Sequence, residues 1–338
     1  MSYWTAEQGK LLRDRAYRVI VSTESSIGEG FAAAVEIANS ELQGPRNPSG
    51  GLHFEFDIAK DLTPEPNRCS VSIYNLSENV RNALDALNVY DPKRPRGQKK
   101  PGPRNRDAEA LNKGKRSAGS YRAPKTGRIR VEITAGYRDT GTSLIFRGDM
   151  RRAISKFEQD GSWCTRIEGE DGGRTTVASR INESFGPGTS HLTVVRALAD
   201  ALGLGYGNLA EVAGLLNGSY PRGTVCTGPA AQELAGVLRR AKIGYTIKDG
   251  QLNFLPFGPP KTLPAVLLSP ESGLIGSPQR QSDGLVQVTS LLNPQLALGS
   301  YVALDSKVLH GEYFVQRVKY RGSNYGDDWY AVLELRAV

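Results

Sequence analysis

"FEFDIAKDLTPEPNRCSVSIYNLSENVRNAL" (residues 54–84) reads as a strand, a proline turn, a second strand and a short capped helix. Leu52, Phe54, Phe56 and Ile58 alternate with His53, Glu55, Asp57 and Ala59. A period of two with one apolar face is the pattern of a half-buried antiparallel strand. The two prolines of "DLTPEPN" stop that strand. "RCSVSIYNL" alternates again, with Cys69, Val71 and Ile73 on one face. Ser77 then stands at an N-cap position, and Val80, Leu84 and Leu87 recur at helical spacing, which predicts a helix of roughly three turns. Nothing in this stretch carries chemistry; it is a framework.

The same framework continues outward. "RIRVEITAGY" (128–137) alternates Ile129, Val131 and Ile133 against polar neighbours. "LIFRGDMRRAISKF", the turn "EQDG" and "SWCTRIEGE" form a long hairpin with Trp163, Thr165 and Ile167 on one face. This first region reads as an antiparallel barrel or sandwich with a long insertion. Composition then changes. "GTSHLTVVRALADALGLG" predicts a helix with Leu192, Val195, Leu198 and Leu202 on one stripe and Gly203 as its stop. "GPAAQELAGVLRRAKIG" predicts a second helix with Leu234, Val237, Leu238 and Ala241 inward, and "YTIKDGQLNFLP" a hairpin turning at Asp249-Gly250. Residues 172–260 thus form a small α/β unit. From residue 264 the chain returns to β, with two strands around Pro294 and a last hairpin, "GEYFVQRVKYRGSNYGDDWYAVLE". That hairpin repeats the order of the first: a Gly-led strand, an acidic turn and W-x4-E, Trp163 with Glu168 and Trp329 with Glu334. Two β regions with a similar closing hairpin point to an internal duplication.

A chain of 338 residues suggests two or three domains. No apolar run approaches the roughly 20 residues that span a bilayer, and the first residues lack the order of a signal peptide. Cys69, Cys164 and Cys226 are too few and too far apart for a disulfide framework or a zinc site; they read as small core residues. The net charge of +8 is concentrated: residues 92–126 hold twelve Lys or Arg against Asp107 and Glu109, so the rest of the chain carries −2. Such a run suits a tail that binds polyphosphate, a solvated loop, or a loop that docks on an acidic protein partner. Tyr121 is its one aromatic residue, whereas single-strand binding wants aromatic interleaving. A protein partner is therefore the preferred reading, with Lys93, Arg94, Arg96, Lys99, Lys100, Arg104, Arg106, Lys113, Lys115 and Arg116 as the contact residues.

No catalytic constellation emerges. His53, His191 and His310 have no second ligand at metal spacing. No Ser lies in a G-x-S-x-G turn. Gly203, Gly205 and Gly207 follow a helix instead of a strand, so they read as a helix stop and not as a dinucleotide loop. Glu168 and Glu170 share a solvated strand face, and Asp327 and Asp328 sit in a turn. The expectation is no enzyme, no metal and no cofactor.

The opening stretch resembles the start of phage tail baseplate hub proteins: a strand, a turn from Lys60 to Asn67, a strand ending Ile73-Tyr74-Asn75-Leu76-Ser77 and a short helix. "IFRGDM" (145–150), "IEGEDGG" (167–173), "INESFGPGTSHLTVVRALADALGL" (181–204), "YTIKDGQLNFLP" (245–256) and "VTSLLNPQLALGSYVALDS" (288–306) continue the resemblance in order, over residues 16–338. The basic insertion is the departure from the family pattern. The resemblance implies a mainly β fold with a smaller α/β part. Two tube-like antiparallel β-barrels (1–171, with the insertion at 92–126, and 261–338) would flank an α/β middle domain (172–260). It implies a homotrimer in the virion tail, assembled in the host cytoplasm. The trimer would adapt a sixfold tail tube protein to a threefold central spike protein, with other baseplate proteins and the tape measure protein as further neighbours, and no membrane. The rival readings are a tail-associated cell-wall hydrolase and a nucleic-acid-binding protein using residues 92–126.

Overall fold

The structure is a computed structural model; it describes residues 15–24, 31–39, 51–62, 66–88, 129–171, 179–248, 251–256 and 265–338. The fold is mainly β. The first β region holds β1 (Arg15–Glu24), β2 (Phe31–Ala38), β3 (Phe54–Asp61), β4 (Asn67–Tyr74), β5 (Ile129–Tyr137), β6 (Gly141–Phe157) and β7 (Trp163–Asp171), with α1 (Glu78–Ala86) between β4 and β5. In the middle lie β8 (Arg180–Phe185), α2 (His191–Leu202), α3 (Leu209–Val212), β9 (Thr224–Pro229), α4 (Ala230–Arg240), β10 (Ile243–Lys248) and β11 (Gln251–Pro256). The second β region holds β12 (Val266–Leu268), β13 (Leu274–Arg280), β14 (Val286–Leu291), β15 (Tyr301–Asp305), β16 (His310–Ser323) and β17 (Trp329–Ala337).

The alternation read in residues 52–59 sets the register. Phe54, Phe56 and Ile58 pair with Ile73, Val71 and Cys69 across β3 and β4. All six side chains are buried, while Glu55 and Asp57 face outward between polar neighbours. Ser77 occupies the N-cap of α1 without a side-chain cap bond, and Leu84 and Leu87 are buried as the helical spacing requires. Ser190 caps α2 by accepting from the Thr193 N–H, and Gly203 ends it in the left-handed conformation that glycine adopts without cost. The two-stranded pairs β8–β9 and β10–β11 join α2 and α4 around one core of Val195, Leu198, Leu234, Leu238 and Phe254.

Two closed barrels were the expectation, and here the described residues differ. Thirteen strands form one sheet whose path runs β13-β14-β17-β16-β3-β4-β7-β6-β5-β1-β2 and stays open, with β12 and β15 branching from β16. The branch exists because β16 is fourteen residues long: residues 310–314 pair with β15, and residues 317–323 pair with β3 of the first region. One hydrophobic core consequently runs through both β regions, from Val19 and Ile133 to Val288 and Leu333.

The duplication is visible in strand order. The first region runs β3-β4-β7-β6-β5 and the second β13-β14-β17-β16-β15. Both closing hairpins carry a bulge at the same place, between Met150 and Arg152 and between Val315 and Arg317. After each bulge an arginine sits opposite a glutamate, Arg152 with Glu168 and Arg317 with Glu334. Each hairpin ends with its tryptophan paired, Trp163 to Phe157 and Trp329 to Gly322. The outermost strands differ: β1 is antiparallel to β5, whereas β12 is parallel to β15.

Candidate interface surfaces

The basic segment 92–126, with all ten of its proposed contact residues, lies outside the described residues. The chain approaches it from Asn88, at the end of α1. Asn88 grips the edge of β6: its Oδ1 accepts from the Ala153 N–H at 2.6 Å, and its Nδ2 donates to the Ala153 carbonyl. The chain re-enters the sheet at Ile129, the first residue of β5.

The seam between the two β regions is the most heavily built part of the sheet. Tyr17 of β1 stacks on Phe54 at 4.0 Å, Phe54 meets Phe56, and Phe56 meets Trp329 edge-on at 5.3 Å. Gly322 lies beneath this contact, where a Cβ would run into the rings of Phe56 and Trp329. Buried Asn324 extends the ladder past the strand end, accepting from the Phe54 N–H at 2.7 Å and donating to the Leu52 carbonyl. Arg15 closes the seam. Its guanidinium lies over the Trp329 ring and donates to the carbonyls of Ser323, Gly326 and Asp327 in the β16–β17 turn. Burial lowers its pKa, opposed by the nearby Tyr137, Asp327 and Asp328. Gly322→Ala is expected to cost about 1–3 kcal/mol through overpacking, read as a lower urea midpoint; an unchanged midpoint would show that the two rings can part.

The outward face of the sheet is covered by cross-strand ion pairs. Asp57 of β3 accepts Arg321 at 3.1 Å and Lys319 at 3.2 Å from β16. Arg317 meets Glu334 at 2.7 Å, Arg151 meets Glu170 at 3.2 Å, and Arg147 meets Glu132 at 2.8 Å. Arg152 forks onto both oxygens of Glu168 at 2.6 and 2.8 Å. Opposite charges on facing strands stabilise the sheet register. They also cancel the field that a polyanion would follow.

The shallow grooves on this face are lined by these same residues. The Arg152 hydrogen bond holds Glu168 below the ordinary carboxylate range. A general acid needs the opposite shift. Because the folded-state pKa is depressed, the stabilisation from Glu168 is present above the unfolded value of about 4.3 and fades as pH falls through the folded value. Arg152→Ala is therefore expected to cost less than about 1 kcal/mol at neutral pH and less still at about pH 3, below the unfolded value. Urea titration at both pH values checks this, and an equal loss at both would contradict the ion-pair account.

The histidines have local partners. His53 stacks on Tyr74 and reaches Ser323 and Glu55 at 3.2 Å; His191 packs edge-on against Tyr220; exposed His310 pairs with Asp305 at 2.9 Å. Among the described residues no three metal-ligating side chains converge. The three cysteines are buried free thiols, and burial drives the Cys69 pKa upward, which keeps the thiol protonated. Among the described residues no helix is long and apolar enough to cross a membrane.

One surface escaped the sequence reading. At the end of the first hairpin Phe157 is 63% exposed and Trp163 is 36% exposed, their rings 5.3 Å apart. Trp163 is held in place: Asn75, in the left-handed conformation, bonds both its N–H and its carbonyl, and the Arg81 guanidinium covers its ring at 4.2 Å. The paired signal, one tryptophan per hairpin, was visible in the sequence; their different exposure was not.

No family model and no curated protein matches the sequence. Solved structures do share the fold. A tail protein from Neisseria meningitidis superposes with a TM-score of 0.52 at 10% identity, over 94% of this chain and 96% of that one. The 43 kDa tail protein of prophage MuSo2 from Shewanella oneidensis superposes with a TM-score of 0.54 at 9% identity, over 95% and 96%. A chain of the Francisella PdpA-VgrG complex in its half-lidded form matches at 0.50 and 9%, over 96% of this chain and 58% of that chain. The protein therefore has the fold of phage tail proteins over almost its whole described length.

Proposed function

We propose that this protein is a structural component of a phage tail, the baseplate hub. Three copies would form a ring that adapts the sixfold tail tube to the threefold central spike. The observation that carries the proposal is the duplicated β region: strand order, bulge and Arg–Glu pair repeat within one chain. Two similar units per chain make six around a threefold axis, which is the symmetry match an adaptor needs. The fold shared with the two tail proteins supports the same reading. In this proposal 1–171 and 261–338 are the two tube-like units, and 172–260 is the α/β domain beside them. The partners are the tail tube protein above, the spike protein below, and baseplate and tape measure proteins around them; the place of action is the virion tail after assembly in the host cytoplasm.

Residues 92–126 are the docking segment of this proposal. Twelve like-signed groups repel one another. Opposite acidic residues of a neighbour they speed encounter and fix orientation. Lys99, Lys100, Arg104 and Arg106 are the central contacts. Deleting residues 93–125 is expected to leave isolated rings of three copies that fail to join tube or baseplate. Normal tails from the deletion variant would refute the docking role. The carboxylates seen on the sheet face are ion-paired, which disfavours the hydrolase rival, and the charge-balanced face leaves nucleic-acid binding to the basic segment alone. Binding to DNA or RNA that weakens steeply with salt would favour that rival.

A further inference from the structure

The two closing hairpins agree in register and differ in cover. Trp329 is 1% exposed, whereas Trp163 is 36% exposed. Trp329 is covered by Arg15 and Phe56, both from the first β region, because β3 lies along residues 317–323 of β16. The corresponding stretch of β6 is residues 152–157. It has β7 on one side and, at Ala153, the end of α1 on the other. From Ser155 to Phe157 that second edge has no strand against it among the described residues.

We infer that the Phe157–Trp163 end of the first hairpin is the seam for the second β region of another copy of this chain, whose β13 takes the place that β3 takes within the chain. This rests on the proposed ring of copies. β13 stands in its region where β3 stands in the first, one strand beyond the partner of the closing hairpin. Among the described residues its outer edge is unpaired.

The side chains complement each other with sizes exchanged. Within the chain the hairpin offers Gly322 and the facing strand offers Phe56. At the free seam the hairpin offers Phe157, and β13 bulges there with the small exposed residues Gly276 and Ser277, followed by buried Pro278. In both cases one phenyl ring lies 5.3 Å from the tryptophan. Pro278 lacks an N–H, so the shared ladder is short and side-chain packing dominates. A rigid Trp with an Arg over it is the composition of an interface anchor, and its fixed backbone lowers the ordering cost of binding. The contact joins the front of one copy to the back of the next, the heterologous type that closes into a ring when each step turns by a third of a circle, as in the proposed trimer.

The register also gives a distance test. Arg321 meets Asp57 at the covered seam; their counterparts are Lys156 and Gln279. Lys156 faces Cys164 across the hairpin, so the test uses a Cys164→Ser background. In that full-length protein Lys156→Cys with Gln279→Cys is expected to form disulfide-linked multimers on mild oxidation, and neither single variant is. Separately, Phe157→Glu is expected to weaken self-association about thirtyfold, read by light scattering, with an unchanged circular dichroism spectrum. A multimer that neither cross-links nor dissociates would place the seam elsewhere and leave the hub reading intact. A protein that stays monomeric alone and with its tail neighbours would overturn the ring and the seam together.

Discussion

Trp329→Ala is expected to lower the unfolding free energy by about 3–5 kcal/mol, the cost of emptying a large aromatic site that cannot collapse. Trp329 is buried against Phe56 on β3 and under the Arg15 guanidinium, with Gly322 opposite it. The site therefore borders three strands from two β regions, and the surrounding ladders keep them from closing on the void. Trp329→Phe separates size from polarity. It keeps a ring beside Phe56 and removes an indole N–H that is buried and unpartnered among the described residues, so its cost is expected to be about 1 kcal/mol. Equal losses for both variants would show that the indole and not the packing matters. The corresponding Trp163→Ala, at an exposed site, is expected to change the stability of the monomer far less than Trp329→Ala.

Arg15→Ala is expected to cost a further large amount, about 2–4 kcal/mol, because it empties a buried guanidinium site and removes the shared donor of the β16–β17 turn. The carbonyls of Ser323, Gly326 and Asp327 all receive the Arg15 guanidinium. Without it the buried Ser323 carbonyl loses a donor, the exposed Gly326 and Asp327 are left to water, and β1 loses its tie to the β16–β17 turn. Lysine is not expected to rescue the loss, since one ammonium cannot reproduce the planar fork that reaches several carbonyls at once. Urea unfolding gives the magnitude, and hydrogen exchange in residues 322–329 gives the place. Wild-type exchange there in Arg15→Ala would show that the turn holds without its clamp.

The strands that alternate cleanly were legible in the sequence, because period two with one apolar face has a single reading. Phe54, Phe56, Val71, Ile73, Val302 and Leu304 are buried as their alternation requires, and Val315 and Val318, three residues apart, are both buried because the bulge between Val315 and Arg317 resets the face. β13 was not legible: "LIGSPQR" holds Pro278 and a bulge, so it shows no period. The ribbon of β8 and β9 was also missed, since most of its side chains face solvent and carry no apolar signal. The repeated W-x4-E was a weak signal that proved to mark the same bulge and the same Arg–Glu pair in both hairpins.

The sequence by itself determined the local geometry: strands from alternation, and helix α2 with its stop at Gly203. These follow from interactions between residues close in the chain or directly opposed in a hairpin. Tertiary structure alone decided that β3 pairs with β16, some 260 residues away, so that two expected barrels share one open sheet and one core. No local pattern encodes which edge a long strand offers to which partner. That choice depends on shape, with Gly322 leaving room for Phe56 and Arg15 reaching the turn behind it. The same physics buries one tryptophan and leaves its counterpart at the surface.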